Sequence, residues 1–204
     1  LLMVVLPSGL YFKRTLDEVA AAQLAVRGGG PVVALNRVVQ LSQTHRGLSA
    51  SMLNGNEALA ARRPAIRDGL AQAYDKVEAA FAAADVSAAR RAHLGELRQS
   101  WTALEAQVAG RQIKSADSTA AHTRLIAGQL LLSELLLDDF ALSMDAGRDT
   151  SALIRASLVD MPWLAENLGV MRAMGSGFLT QAALPPEGRA TLQALRKRVV
   201  ELQG

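Results

Sequence analysis

The architecture of this chain follows from residues 31–55, PVVALNRVVQLSQTHRGLSASMLNG. On a helix with about 100° per residue, the apolar side chains of this segment fall on one face. They are Leu35, Val38, Val39, Ala50 and Leu53. Three polar residues share that face, namely Ser42, Arg46 and Ser49. The pattern predicts an amphipathic helix whose buried face also carries hydrogen-bonding groups.

Arg46 is the residue of this face that most constrains the interpretation. It lies seven residues after Val39 and seven before Leu53, so it points in the same direction as they do. A guanidinium in an apolar interface keeps its charge and therefore needs an anionic partner. That partner is either a carboxylate of this chain, such as Asp160 or Glu134, or a small anion from outside. The sequence leaves both alternatives open.

Gly47 permits another interpretation of the same segment. A glycine directly after His45 and Arg46 can end the helix and change its phase. In that case Arg46 is exposed, and a different set of side chains faces the core. That set is Leu41, Leu48 and Met52.

The composition is typical of packed helices. Half of the 204 residues are apolar but only 4% are aromatic, so the core consists of Leu, Ala, Val and Met. The net charge is only +3 and the charges are interspersed, which argues against nucleic-acid binding. There is no cysteine, so disulfides, thiolate metal sites and cysteine nucleophiles are excluded.

Helical periodicity recurs along the whole chain, with no convincing strand. Helices are predicted at 10–27, 31–53, 57–84, 88–112, 119–144, 151–181 and 188–203, with an interruption at Gly28–Pro31 and a break near Met161 and Pro162. Long helices joined by short loops favour an all-α, up-down antiparallel bundle. We expect residues 13–145 to form a four-helix bundle, and residues 146–204 to extend it or to begin a second one.

The apolar start of the chain, LLMVVLPSGLYF, suggests a membrane-proximal segment over residues 1–12. We interpret it as the outer end of a transmembrane helix, and we expect the natural chain to continue beyond Gly204. The alternative is a hydrophobic segment that packs on the body of the protein.

A second helix carries polar residues within its apolar stripe, namely His122, Gln129 and Ser133. Together with Ser42, Arg46 and Ser49 they predict a buried polar layer that could hold a small anion. Asp160 is either part of this layer or the cap of the helix that opens near Pro162. Arg172 lies beside the stripe of Met171, Met174 and Phe178, either as a second anion-facing arginine or on a solvated flank. We find no catalytic set, metal-site spacing or cofactor motif.

Three motifs resemble a known family. The segment QLSQTHRGLSASML, residues 40–53, resembles the "Q-x-x-R-G-x-S" helix of all-helical bacterial sensor domains, including nitrate- and nitrite-sensing domains, and Thr44–Ser49 resembles their "H-R-G" helix. His122–Ile126 resembles an "H-x-x-L-I" helix, and Pro162–Gly177 resembles a proline-started helix with "L-G-x-x-R-x-x-G". This arrangement is similar to the periplasmic domains of transmembrane chemoreceptors and sensor kinases.

The resemblance implies a periplasmic, homodimeric sensor domain of an inner-membrane receptor that signals by a shift between helices. It assigns anion binding to arginines, a role that Arg46 and Arg172 fit by their position in the motifs. The complete set of predicted ligand-binding residues is Arg46, Ser42, Ser49, His122, Gln129 and Arg172. The alternative is a structural or partner-binding bundle without a small ligand, to be recognised by a carboxylate that satisfies Arg46.

Overall fold

The computed structural model describes residues 2–142, 148–181 and 185–202. These residues form eight α-helices and a short π-helical segment. The helices are α1 (Leu2–Leu53), α2 (Glu57–Ala60), α3 (Arg63–Ala83), α4 (Ala88–Ala109), α5 (Ser115–Asp139), α6 (Arg148–Arg155), α7 (Met161–Gln181) and α8 (Pro186–Glu201). The predicted all-α helical bundle is confirmed. The predicted ends of two helices, Met144 and Gln203, lie outside the described residues.

Helix α1 is the axis of the bundle. It runs as one helix for 52 residues, so the predicted interruption at Gly28–Pro31 is wrong. Gly28 serves close packing instead, because a Cβ at this position would lie 2.4 Å from Cβ of Phe140. Val32 and Leu35 follow directly and are fully buried. Their burial supports the helix through a proline that removes one backbone hydrogen bond.

The main core lies between α1, α3, α4 and α5. Helix α1 packs against α3 and α5, and α4 packs against α3 and α5. The largest fully buried apolar side chains are Leu35, Leu70, Tyr74, Phe81, Leu94, Ile126, Leu130, Leu132 and Leu136. The four helices thus form an antiparallel bundle in which α1 is buried on a broad face.

The predicted break near Pro162 is a π-helical segment, Ala156–Asp160, that joins α6 to α7 without a loop. Pro162 lacks an N–H and its ring clashes with the carbonyl four residues earlier, so a wider helical turn relieves both problems. Asp160 lies inside this continuous helical segment, so its predicted role as a cap is wrong. Helix α7 contacts α1 and α5, and α8 packs on α7.

The beginning of α1 extends beyond the bundle. Leu10, Tyr11 and Phe12 are each more than 60% exposed, so these three side chains do not pack on the body of the protein. Within the part of the chain that the structure describes, no helix combines the length and hydrophobicity needed to cross a membrane.

Candidate anion-binding site

Arg46 is buried in the bundle, as the helical phase of residues 31–55 predicts. Its side chain is 7% exposed, and α1 continues through Gly47, so the interpretation with a helix break and an exposed arginine is wrong. Leu41, Leu48 and Met52 are nevertheless buried as well. Both sets of side chains are covered because α3 and α5 pack on neighbouring faces of α1.

The partner of Arg46 is Glu166 on α7. The Nη1 atom donates to Oε1 at 2.5 Å, and Nη2 donates to Oε2 at 3.0 Å. Nη1 also donates to Oγ1 of Thr123 at 2.9 Å, and Gln43 donates to Oε2 of Glu166 at 3.1 Å. Glu166 is only 4% exposed, so this is a buried, bidentate ion pair.

The carboxylates expected from the sequence have other partners. Asp160 lies 3.9 Å from Nε of Arg155, and Glu134 accepts a hydrogen bond from Nε1 of Trp163. Sequence reasoning missed Glu166, although a signal was present: it follows Trp163 by three residues and therefore lies on the same face of α7.

A groove of about 460 Å³ opens beside Arg46, between α1, α5 and α7. The charged residues that line it are three arginines, Arg37, Arg46 and Arg172. Among the described residues, no carboxylate lines the groove. Thr44 and Thr119 contribute hydroxyl groups, and Gln43 contributes an amide. The groove therefore has the positive charge and the donors that a small oxyanion requires.

Arg172 is exposed, as its interpretation as a residue on a solvated flank expects, and it also borders this groove. Gly169 lies one turn before it on α7. A Cβ at residue 169 would lie 3.0 Å from Nη2 of Arg46, so the glycine lets the guanidinium lie against α7. Arg37 was not predicted, because it falls on the solvent-facing side of α1.

Two predicted site residues, Ser49 and His122, belong to a separate buried cluster. His45 Nδ1 lies 2.9 Å from His122 Nε2, and His45 Nε2 lies 2.9 Å from Glu105 Oε2. Arg63 also donates to Glu105 and, through Nε, to Ser49 Oγ at 3.2 Å. This cluster joins α1, α3, α4 and α5, and its members are outside the lining of the groove.

The hydrogen bonds of this cluster indicate where its protons lie. Burial lowers the pKa of His122 to about 4, so its ring is neutral near pH 7. Nδ1 of His122 lies 2.8 Å from the carbonyl oxygen of Ser118 and must therefore donate, which leaves Nε2 as an acceptor. Nδ1 of His45 then donates to His122, and its Nε2 atom faces the carboxylate of Glu105.

The charge of Glu105 is stabilised by its neighbours. Burial raises the pKa of Glu105, but the hydrogen bonds and charges of His45 and Arg63 outweigh that effect, and the pKa lies below its ordinary value. The cluster is therefore a hydrogen-bonded network built around the ion pair of Arg63 with Glu105, and its role in this arrangement is structural.

The remaining predicted residues, Ser42, Gln129 and Ser133, lie in a third group. Gln129 Nε2 donates to Ser42 Oγ at 3.0 Å and to the hydroxyl of Tyr74 at 2.9 Å. Gln129 Oε1 and Ser133 Oγ are buried without a hydrogen-bond partner among the described residues. The sequence predicted a single polar layer, whereas the structure separates these residues into three groups. Of the predicted site residues, only Arg46 and Arg172 line the groove. Within the described ranges, His, Asp and Glu form no cluster suited to a metal ion.

Comparisons with known proteins point to one family. A family model described as nitrate and nitrite sensing matches residues 37–203. A solved structure, "Structure of the NasR transcription antiterminator", matches with a TM-score of 0.75 and 21% identity, covering 97% of this chain and 53% of that chain. The present chain thus spans about half the length of that protein, and the likeness shows the fold alone. No match was found among curated proteins.

Proposed function

The chain belongs to the nitrate- and nitrite-sensing family, as its three motifs predicted, and we propose on that basis that it binds a small planar oxyanion in the groove beside Arg46. The observation that carries this proposal is the set of three arginines, Arg37, Arg46 and Arg172, in a groove lined by no carboxylate among the described residues. A guanidinium presents parallel N–H groups that match two oxygens of nitrate or nitrite. The amide of Gln43 adds a neutral donor, whereas the hydroxyl groups of Thr44 and Thr119 donate to the backbone carbonyls of Gln40 and Ser115.

The groove also suggests how binding is transmitted. Arg37 and Arg46 belong to α1, whereas Arg172 belongs to α7, so an anion between them favours one relative position of the two helices. We propose that residues 13–145 form the sensing bundle and that residues 146–204 complete its site, since α7 supplies one wall of the groove. A small shift of α7 would then be the signal.

Thermal unfolding with added anions tests this function. At a nitrate concentration about 100 times the Kd, binding adds roughly 2.7 kcal/mol to the free energy of unfolding. For a chain of this size we expect Tm to rise by about 5–10 °C. Sodium chloride at the same ionic strength is the reference, and nitrite and small carboxylates complete the series.

Arg172 is the best residue to replace in this assay, because it is exposed and its loss leaves no buried charge. We expect Arg172→Gln to lose most of the nitrate-dependent shift. Arg91→Gln, an equal change of charge at an exposed position of α4, should retain it. A full shift in Arg172→Gln would exclude this arginine from the binding site.

The structural-bundle alternative is favoured by one specific observation, the ion pair of Arg46 with Glu166. A satisfied arginine does not require a ligand, so a bundle that only binds a partner protein is the second candidate function. It predicts no anion-dependent change in Tm for the wild-type chain or for any variant of the groove.

The homodimer is supported by the exposed face of α1. Its large apolar residues recur every seven positions, at Phe12, Val19, Val26 and Val33. A spacing of seven residues on exposed helix faces is typical of helices that pair with each other. We propose that α1 of a second copy covers this stripe.

The setting in a membrane receptor, of the chemoreceptor or sensor kinase type, is a further proposal. It rests on the exposed apolar residues Leu10, Tyr11 and Phe12 at the start of α1. Reporter fusions to the full-length gene product would test it, since a periplasmic domain activates an alkaline phosphatase fusion. Activity only in a cytoplasmic reporter would exclude the receptor setting.

A further inference from the structure

We propose that Glu166 is a built-in competitor of the ligand, which holds the guanidinium of Arg46 until an anion displaces it and lets α7 shift. This inference rests on the proposed function, because it specifies how the same groove is regulated. It concerns a residue that is buried against Arg46 and is absent from the lining of the groove.

The chemistry of the carboxylate supports this role. Both oxygens of Glu166 bind the guanidinium, at 2.5 and 3.0 Å, so they occupy one complete edge of the fork. Nitrite and nitrate present the same planar pair of oxygens with the same sign of charge. An anion that binds this edge of Arg46 and the carboxylate of Glu166 therefore exclude each other.

The surroundings allow an exchange between the two. Arg46 lines the groove, so an incoming anion reaches its guanidinium from solvent. Gln43, which donates to Oε2 of Glu166 at 3.1 Å, also lines the groove. A displaced carboxylate thus has a hydrogen-bond donor on the path from its buried position to solvent.

The displaced carboxylate cannot stay buried without a partner, because an unpaired buried charge is strongly destabilising. It must move outward, and α7 must move with it or turn. Helix α7 has polar contacts with both α1 and α5. They include the ion pair of Glu166 with Arg46 and the hydrogen bond from Trp163 to Glu134. Loss of the first contact would convert occupation of the groove into movement of α7.

A competitor within the chain lowers the apparent affinity for the ligand, because only molecules in which the competitor is not engaged can bind. Glu166→Gln keeps the size of the side chain but offers one acceptor and one donor instead of two acceptors. The fork of Arg46 is then only half satisfied. We therefore expect Glu166→Gln to bind nitrate at least about tenfold more tightly than the wild type, by calorimetric titration at constant ionic strength.

The matched control is Glu96→Gln, which removes the same charge from an exposed position of α4. It should bind nitrate as the wild type does. Circular dichroism establishes that each variant is folded. If Glu166→Gln does not fold, Glu166→Asp decides the question. The side chain of this variant is charged but shorter, so the variant should also bind nitrate more tightly than the wild type.

The outcomes separate this inference from the function on which it rests. Tighter nitrate binding by the Glu166 variants supports the role of Glu166 as a competitor. This also holds if the wild type shows no measurable nitrate binding. Equal or weaker binding by a folded Glu166 variant overturns the competitor but leaves anion binding intact. Absence of nitrate binding in all chains overturns the proposed function and the competitor together.

Fluorescence supplies a readout beyond affinity. The chain contains two tryptophans, so Trp101→Phe leaves Trp163 on α7 as the sole emitter. In that background nitrate should change the emission of Trp163. Glu166→Gln should produce a similar change without nitrate, whereas an unchanged spectrum would show that α7 does not shift.

Discussion

Arg46 on α1 and Glu166 on α7 are 120 residues apart in the chain, yet they form two hydrogen bonds with each other in a buried position. This pair joins the bundle to the helices that follow it. It also determines how an anion can reach the arginine, because the fork that would bind the anion already has a partner. The stability of this chain and its proposed anion binding therefore involve the same contact.

A double-mutant cycle should show how strongly the two residues are coupled. Arg46→Met leaves a buried carboxylate unpaired, so we expect it to lower the free energy of unfolding by roughly 3–5 kcal/mol. Adding Glu166→Gln removes that charge and should restore a large part of the loss. Urea denaturation measures both changes.

The control for this cycle is an exposed ion pair. Arg111 binds Glu57 at 2.8 Å at the surface, and Arg111→Met should cost less than about 1 kcal/mol. Strictly additive effects of Arg46→Met and Glu166→Gln would contradict the coupling.

Gly169→Ala should affect the anion site more than the fold. The added methyl group would lie 3.0 Å from Nη2 of Arg46 and must push the guanidinium away from α7. The gain in helix propensity, roughly 1 kcal/mol, offsets much of that strain. We expect little change in Tm but at least about fivefold weaker nitrate binding by calorimetric titration, because the optimal placement of the fork is lost.

Gly175→Ala is the matched control on the same helix. A Cβ at this position meets nothing within 4 Å, so this variant should be slightly more stable and should bind nitrate normally. Equal binding by the two alanine variants would show that Gly169 does not position Arg46.

The stability of the protein should fall as the pH is lowered from about 6.5 to 5, because of His122. Burial lowers the pKa of His122 to about 4, whereas the unfolded chain binds the proton near the ordinary value. Within this window the unfolded state holds more protons, so acid favours unfolding, by about 2 kcal/mol for this single group. His122→Asn should remove this part of the slope in urea denaturation at several pH values.

His93→Asn is the control, since His93 is a half-buried histidine of α4 that lies outside the buried cluster. It should leave the pH profile unchanged. An unchanged slope in His122→Asn would mean that other groups cause the loss of stability.

The exposed stripe of α1 should mediate self-association. Val26→Glu places a charge in the middle of the stripe and should weaken the dimer at least about tenfold in sedimentation velocity experiments. Leu10→Glu makes the same kind of change on the opposite side of α1 and should leave association intact. A wild-type chain that is monomeric at high concentration would exclude the dimer.

Much of the architecture was predictable because helical periodicity is a local property. Helical periodicity predicted a helix at 88–112, and the apolar residues buried on α4 recur at helical spacing, at Leu94, Leu97, Trp101, Leu104 and Val108. The interruption at Gly28–Pro31 was predicted wrongly, since the contact between Gly28 and Phe140 joins residues that are far apart in the chain. Helix propensity depends on neighbouring residues only and therefore does not predict a contact between distant ones.

The site was predictable only in part. The phase of α1 was sufficient to place Arg46, Ser42 and Ser49 on its buried face. It was not sufficient to tell which of them would meet, because each faces a different neighbour around the circumference of α1. Ser42 reaches Gln129, Ser49 reaches Arg63, and Arg46 reaches Glu166.

The amino-acid sequence alone therefore determined the helices, the burial of Arg46 and the need of that arginine for a negative charge. These follow from side-chain spacing and from the energetic penalty of an isolated ion in a low-dielectric interior. Only the packing of α7 on α1 and α5 decided that Glu166 supplies the charge and that Arg37 and Arg172 border the same groove. The pairing of residues across helices depends on rotation and register, which no single helix specifies.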